Sequence, residues 1–494
     1  MELRNDDHMY KEMYTALLQK VEELMRDFTA VVTENEDLRR MLSIALKEVE
    51  ELKSENKRLR EEVSELRGRL NMNSRNSSKP PSSDGLSKKP GLPKGPPKKS
   101  GGQPGHKGDT LRMVERADEV VLHHAGSCPV CEKVFGESDV VEIIGRRQVF
   151  DIPEPRLLVT EHRTGLIRCC GHSHRGAFPA DVTQPTQYGP RILANCVVLN
   201  NDYKVPVEKI GRLGADLWGC KLNAGTILAA NARMYAGLES VEATIKQAIL
   251  ASGTVCFDET GLRAEQKLHW CHTACTALFT HLFVHPKRGK EALNSEYSVL
   301  KDYTGRAVHD CWPSYFDYKN CLHSLCCAHL LRELLGLAQS GSKWAVPMHD
   351  HVLAMYRARN KADGPLEDRD YWLRIFHRIC RDADEEEPPT QKGKKGRPKS
   401  SKGRNLLHRL VNYTDEWFAF AFEQGVPFTN NQAERDIRVV KTKQKVATNF
   451  QTLKGARHFA RIQAFASTLR KHSMNVFKHF TMVLEGKEIV FRIA

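Results

Sequence analysis

No stretch of the chain approaches the ~20 unbroken apolar residues that a membrane-spanning helix needs, and the opening Met1-Glu2-Leu3-Arg4-Asn5-Asp6-Asp7 does not begin a signal peptide. These absences exclude a helical membrane protein and predict a cytoplasmic chain with no membrane partner. Acidic charge is also in short supply. Against 75 Lys and Arg stand 61 Asp and Glu, a formal net charge of +14 over 494 residues. The excess argues for a polyanionic partner and says nothing about fold. A disulfide framework does not suit the expected compartment, so the 14 cysteines read as metal ligands where clustered and as small core residues where scattered. The length is enough for three or four domains with a large core.

Residues 1–70 hold the clearest periodicity. With Tyr14, Val21, Phe28, Asn35, Leu42, Val49, Asn56, Val63 and Leu70 at position a, the d positions are Leu17, Leu24, Val31, Leu38, Ala45, Leu52, Leu59 and Leu66. This is a coiled-coil pattern, and Asn35 and Asn56 would set the register of a parallel dimer. A long helix folded back on its own chain is the alternative. Residues 71–110 change to a Pro/Ser/Lys/Gly mixture that buries too little apolar surface to fold and reads as a disordered basic linker. Cys128-Pro129-Val130-Cys131 and Cys169-Cys170-Gly171-His172-Ser173-His174 then bracket a β-rich stretch. Cys128, Cys131, Cys169 and His172 form a Cys-x-x-Cys plus Cys-x-x-His set for a structural Zn²⁺ in a module over 111–187, with Cys170 and His174 fitting the second pair nearly as well. Residues 188–250 read as helices, with a turn near Gly219-Cys220-Lys221 that suits a helix-turn-helix-like DNA-binding region.

From Gly253 the pattern becomes β. Thr254 to Phe257, His269 to Thr276 and Thr280 to His285 read as three hairpin-linked strands, followed by a helical span and a fourth strand, Arg306 to His309. That order opens a ribonuclease H-like fold. Asp258 ends the first run and Asp310 the fourth, while Glu434 opens a helix after Asn430-Asn431-Gln432-Ala433. Carboxylates so placed can hold a pair of Mg²⁺ or Mn²⁺ ions, hard cations that take oxygen ligands and act on phosphodiesters. On the helix after Glu434, Arg438, Lys441 and Lys445 share its face and can hold a DNA backbone. Asn431 as an N-cap makes Glu434 a capping-box residue in the competing structural reading. Residues 251–335 and 426–494 thus form a catalytic core, and 336–425 a helical insertion. The insertion ends in an acidic run, Asp382 to Glu387, and a basic stretch, Lys392 to Lys399, which reads as an ordinary basic loop or, through Gly396-Arg397-Pro398, resembles a minor-groove hook carried by Arg397.

Phe257-Asp258-Glu259-Thr260-Gly261, Pro286-Lys287-Arg288-Gly289, Val308-His309-Asp310-Cys311-Trp312-Pro313-Ser314-Tyr315, Cys327-Ala328-His329-Leu330-Leu331-Arg332-Glu333-Leu334 and Val426-Pro427-Phe428-Thr429-Asn430-Asn431-Gln432-Ala433-Glu434-Arg435 resemble the blocks of bacterial transposases of the insertion-sequence sixty-six family. The likeness extends to the N-terminal helix, the Asn-Ser-rich tether, Gly102-Gln103-Pro104-Gly105-His106 and the cysteine module. It implies a multidomain α+β chain with an RNase H-like core and a DDE-type triad of Asp258, Asp310 and Glu434. It implies cutting and joining at the terminal repeats of a mobile element, with transposon ends and target DNA as partners, homo-oligomerisation and accessory transposition proteins, in a bacterial cytoplasm near the nucleoid. In relatives the second metal pair is commonly Cys-x-x-Cys, whereas here Ile167 stands three residues before Cys170. Two other readings of the chain are a zinc-containing DNA-binding regulator or inactive relative, and an RNase H-fold nuclease that cuts without joining.

Overall fold

The structure is a computed structural model that describes residues 5–70, 110–387, 389 and 400–491. The basic linker and Arg397 lie outside the described residues. The elements in order are α1 (Asn5–Leu70), β1 (Leu166–Cys169), β2 (His172–Arg175), α2 (Pro190–Val197), α3 (Val207–Trp218), α4 (Ala224–Gly237), α5 (Glu239–Leu250), β3 (Thr254–Ala264), β4 (Lys267–Cys275), β5 (Thr280–His285) and α6 (Lys290–Leu293). There follow β6 (Arg306–His309), β7 (Leu322–Leu325), α7 (Cys327–Gln339), α8 (Ala345–Lys361), α9 (Arg369–Glu386), α10 (Lys402–Asn412), α11 (Thr414–Phe422), α12 (Asn431–Ala447), α13 (Leu453–Lys471) and α14 (Val476–Leu484). The fold is mixed α+β, and no helix among the described residues is long and apolar enough to cross a membrane. The chain divides into two compact units, one of Met1–Gly85, Arg306–Asp317 and Leu322–Asn430, the other of Leu86–Gly305, Tyr318–Cys321 and Asn431–Ala494.

In the first unit α1 runs unbroken for 66 residues, ~100 Å at 1.5 Å per residue. Its heptad side chains stand in solvent, with Leu24 63%, Phe28 69% and Leu52 64% exposed. β6 and β7 pair in parallel, Arg306 opposite Leu322 and His309 opposite Leu325. Helices α7 to α11 close around Trp344, Phe376, Leu406, Leu410, Trp417 and Phe418. The acidic run that ends the insertion's helical part forms the last turn of α9 and its C-cap, and its carboxylates have acceptor work there. Glu386 accepts the N–H groups of Lys343 (2.8 Å) and Trp344 (3.0 Å), which open α8. Glu387 accepts the Trp344 indole N–H at 3.0 Å and the Ser401 hydroxyl at 2.5 Å, and buried Arg404 donates to Asp384. Gly403 leaves no room for a β-carbon beside Glu387.

In the second unit β3, β4 and β5 form an antiparallel meander, with Asp258 opposite Thr273 and Cys271 opposite Val284. The β3–β4 hairpin turns through Glu265 and Gln266, both at positive φ (52° and 64°), the conformation of a type I′ turn. Alternation puts Leu262, Ala264, Cys271, Leu282 and Val284 on one face, where they pack on Ile437 and Val440 of α12 and Phe459 and Ala460 of α13. Helices α2 to α5, α13 and α14 pack together in the same unit. α2 ends in a π-helical turn, Val198–Asp202, that buries Asn200, Asn201 and Asp202. Those polar groups are satisfied: Asn201 donates to Asn231 (2.7 Å), Asn231 to Asn200 (2.9 Å) and Lys443 to the Asn200 carbonyl (2.9 Å). The 111–187 region is different. Val141, Ile144, Val149 and Leu158 are all more than 85% exposed, so this stretch builds little core of its own.

Candidate active site

Asp258 does not end its strand. β3 continues to Ala264, because Thr260, Leu262 and Ala264 alternate toward the same packed face and extend the run. Residues paired across an antiparallel ladder point to one side, so Asp258 shares the face of Leu262 and Cys271, the face on which α12 lies. Its carboxylate accepts the Glu259 N–H at 2.9 Å. On the opposite face Glu259, 2% exposed, binds Arg288 through Nε (2.9 Å) and Nη2 (2.6 Å), and Arg288 lies over the Trp270 ring at 4.9 Å.

Glu434 stands in the first turn of α12, three residues before the buried Ile437 and so one turn along the same side. Two residues after it, Asp436 is clamped inside the unit. It accepts Lys471 Nζ at 2.6 Å, the Thr280 hydroxyl at 2.9 Å and the Gln432 amide at 3.0 Å. Sequence reading missed this clamp and the buried Lys443. A signal existed: Ala433, Ile437 and Val440 mark the inward face of α12, and Asp436 and Lys443 fall beside it at helical spacing. Desolvation, aided by Lys204, pushes the Lys443 ammonium down to about 8.

Asp310 directly follows β6, as expected, and its carboxylate accepts the Trp312 N–H at 3.0 Å. The preceding His309 is fully buried and stacked on Tyr315 at 4.4 Å, and burial takes it down to about 3, so it stays neutral. Its Nδ1 meets the Asp310 carbonyl, which can only accept, so Nδ1 carries the proton and Nε2 accepts from His323 Nδ1 at 2.9 Å. The turn that presents Asp310 is thereby fixed from both sides. The segment leading to Glu434 is held in the first unit by the Cys327 N–H to Phe428 (3.1 Å) and the Asn430 N–H to the Cys326 sulfur (3.1 Å), so Cys326 does more than pack.

Of the cations expected to hold DNA, Arg438 and Lys445 are exposed. Lys441 is not: its half-buried ammonium donates to the Gly261 carbonyl and is lowered by desolvation, so it ties α12 to β3 and the open ridge runs through Arg435, Arg438, Thr442 and Lys445. In the helix-turn-helix region, Gly211 and Gly214 let the α3–α4 turn lie directly on α3, since a β-carbon at either would come within 2.7 Å of Leu222 or Cys220 oxygen. Asn223 caps α4 by accepting the Thr226 N–H at 2.8 Å. The exposed positions that follow, Ala224, Gly225, Leu228 and Ala229, offer no side-chain hydrogen bonds to base edges.

The two halves of the cysteine module are each formed. Cys128 and Cys131 occupy a tight turn in which the backbone at Cys131 and Val130 and the Cys131 side chain draw the Cys128 thiol below its usual range. Cys169 and His172 are directly opposed across the β1–β2 hairpin, whose two-residue turn Cys170-Gly171 has positive φ throughout (50° and 81°). Cys170 sits in the turn, and His172 Nδ1 bonds the Cys170 carbonyl at 3.0 Å, an arrangement that leaves Nε2 outside that bond. Among the described residues, no three of Cys128, Cys131, Cys169 and His172 bring their ligand atoms within 4.8 Å of one another.

Strand-borne and helix-borne carboxylates in this element order coincide with a family match over more than half of the chain: the model described as Transposase IS66 family covers residues 185–458. A second, described only as a family of unknown function, covers residues 19–112. A comparison with curated proteins gave no match. The class is therefore a DNA-transferring enzyme. The chain belongs to the Transposase IS66 family, and as a transposase it is expected to bind DNA.

Proposed function

We propose that this transposase binds the terminal inverted repeats of its element and performs metal-dependent cleavage and strand transfer with Asp258, Asp310 and Glu434 as one carboxylate set. The observation that carries the reading is that α12, with Glu434 in its first turn, packs on the face of β3 that bears Asp258. Antiparallel β3, β4 and β5 followed by parallel β6 and β7 support an RNase H-like core. The donors are all carboxylate oxygens, which suits Mg²⁺ or Mn²⁺. When bound, such ions supply Lewis-acid activation of the attacking oxygen and charge neutralisation at the leaving one.

The residues of the chain have the remaining tasks. Asp258, Asp310 and Glu434 would hold the ions, the first two with orientations preset by the Glu259 and Trp312 amides. Arg438 and Lys445 would hold phosphates, and Arg397 of the basic loop would enter the minor groove. In the first step water attacks phosphorus, the P–O3′ bond breaks and the 3′ oxygen leaves as a hydroxyl. In the second that hydroxyl attacks a target phosphodiester and expels its 3′ oxygen, so bonds made and broken balance. Cys128, Cys131, Cys169 and His172 would close a structural Zn²⁺ site that gives residues 111–187 the core they otherwise lack. The a and d stripe of α1 would be buried in a dimer, so that two active sites can act on two ends.

The test is incubation of the purified protein with end-bearing DNA and Mg²⁺. Cleaved and joined products are expected, and Asp258→Ala, Asp310→Ala or Glu434→Ala should abolish both while end binding persists. Absence of cutting would turn the reading toward a DNA-binding regulator, and cutting without joining toward a nuclease.

A further inference from the structure

The outer ridge of α9 is built from cations. Its inward residues Phe376, Ile379, Cys380 and Ala383 are buried in the aromatic core of the first unit. With ~3.6 residues per turn, the ridge diametrically opposite passes through Arg374, Arg378 and Arg381, flanked by Tyr371 and His377. All five are exposed. Although Asp370, Asp382 and Glu385 lie one turn away on the same helix, none of the three arginines makes an ion pair among the described residues. The helix that carries them is tied at both ends, by Asp368 accepting the Tyr371 N–H at 2.9 Å and by Glu386 accepting the Lys343 N–H at 2.8 Å.

We infer that this ridge is a docking surface for the sugar–phosphate backbone of duplex DNA, an inference that rests on the transposase reading above and adds a contact surface far in sequence from the carboxylates. Arginine is the side chain whose planar fork matches phosphate oxygens two at a time. Seven residues of helix separate Arg374 from Arg381, ~10.5 Å, the axial span of about three phosphate-to-phosphate steps on one strand. A helix tied at both ends presents the three arginines with no backbone ordering cost, leaving only their side chains to be fixed. Contacts to phosphate oxygens carry no sequence information, so a ridge docked on the backbone holds DNA without regard to sequence.

The experiment uses the full-length protein and a fluorescent duplex of random sequence, titrated from about 50 to 200 mM salt. The ridge variant is Arg374→Gln/Arg378→Gln/Arg381→Gln. A charge-matched control, Lys343→Gln/Arg357→Gln/Lys361→Gln, removes three exposed cations elsewhere in the same unit. Loss of three phosphate contacts makes the log–log salt slope shallower by about 2.7, so across that range the wild type loses about 40-fold more affinity than the ridge variant. The control keeps the wild-type slope, and Arg→Lys at all three ridge positions restores most of it. A ridge variant with the wild-type slope, or a control that shifts as much, overturns the inference, and in an enzyme that still cuts ends it does so without touching the transposase reading. A wild-type protein that binds no duplex and cuts none overturns both.

Discussion

Lys471→Met should unfasten the second turn of α12, which follows Glu434. Lys471 and Asp436 are 11% and 9% exposed and 2.6 Å apart, and Lys471 also donates to the Thr276 (2.8 Å) and Phe279 (3.0 Å) carbonyls, so its three protons are all in use. Replacing it strands a buried carboxylate with neutral donors alone, Thr280 and Gln432 among them, and leaves two carbonyls short of a partner. Removing one member of a buried pair costs roughly 3–5 kcal/mol. At about 2–4 °C per kcal/mol for a fold of this size, the melting temperature should drop by roughly 6–20 °C. The double variant Lys471→Met/Asp436→Asn should recover part of that loss, with a coupling of about 0.5–3 kcal/mol in a double-mutant cycle read by urea unfolding. Under conditions where the single variant is still folded, cutting should fall about 100-fold through misplacement of Glu434, while duplex affinity holds. A single variant within about 0.5 kcal/mol of wild type, or strictly additive losses in the cycle, would refute the clamp.

Lys443 predicts a stability that rises with pH, in the same sense as a carboxylate held below its ordinary value but in the alkaline range. Its folded value of about 8 lies below its ordinary 10.5, so the unfolded chain binds more protons between those limits and stability rises with pH there. The wild type should gain on the order of 3 kcal/mol relative to Lys443→Met between pH 8 and 10.5, read by urea unfolding at stepped pH, and parallel curves would contradict it. Zinc removal by a chelator should leave residues 111–187 open to proteolysis while the strands of the second unit stay protected, and Cys128→Ser should lower bound zinc on metal analysis. Finding no zinc in the purified protein would remove the module's staple. Deleting residues 1–70 should shift sedimentation toward monomer and suppress paired-end joining more than single-end nicking, because only joining needs two sites held together. An unchanged oligomer would place the assembly elsewhere.

Much of this arrangement is legible in the chain. The long heptad helix, the meander of three strands, Asp310 at the end of a fourth and Glu434 on a new helix all follow from period and spacing, which local residues set. What was not legible depends on partners distant in sequence. Nothing near Lys441 shows that its ammonium turns inward to Gly261, 180 residues earlier, rather than outward to DNA. Nor does anything near the Asp382–Glu387 run show that Lys343, Trp344 and Arg404 use its oxygens. The hairpin register, which places Cys169 opposite His172 and Cys170 in the turn, was likewise not legible.

The polar residues of α12 divide by face in a way that bears on how Glu434 is held. Asp436, Lys441 and Lys443 point into the second unit, to Lys471, to the Gly261 carbonyl and to the Asn200 carbonyl, whereas Arg435, Arg438 and Lys445 are exposed. An apolar inner face alone would let the helix slide along its groove by small steps at little cost, because dispersion is not directional. Three directional contacts spaced over about two turns fix both rotation and translation, and each is expensive to break once buried. One of them, Lys441, fastens α12 to the strand that carries Asp258. The position of Glu434 relative to that strand is therefore set by the same residues that stabilise the unit, and loss of an inner contact should lower stability and cutting together while loss of an outer cation lowers DNA affinity alone.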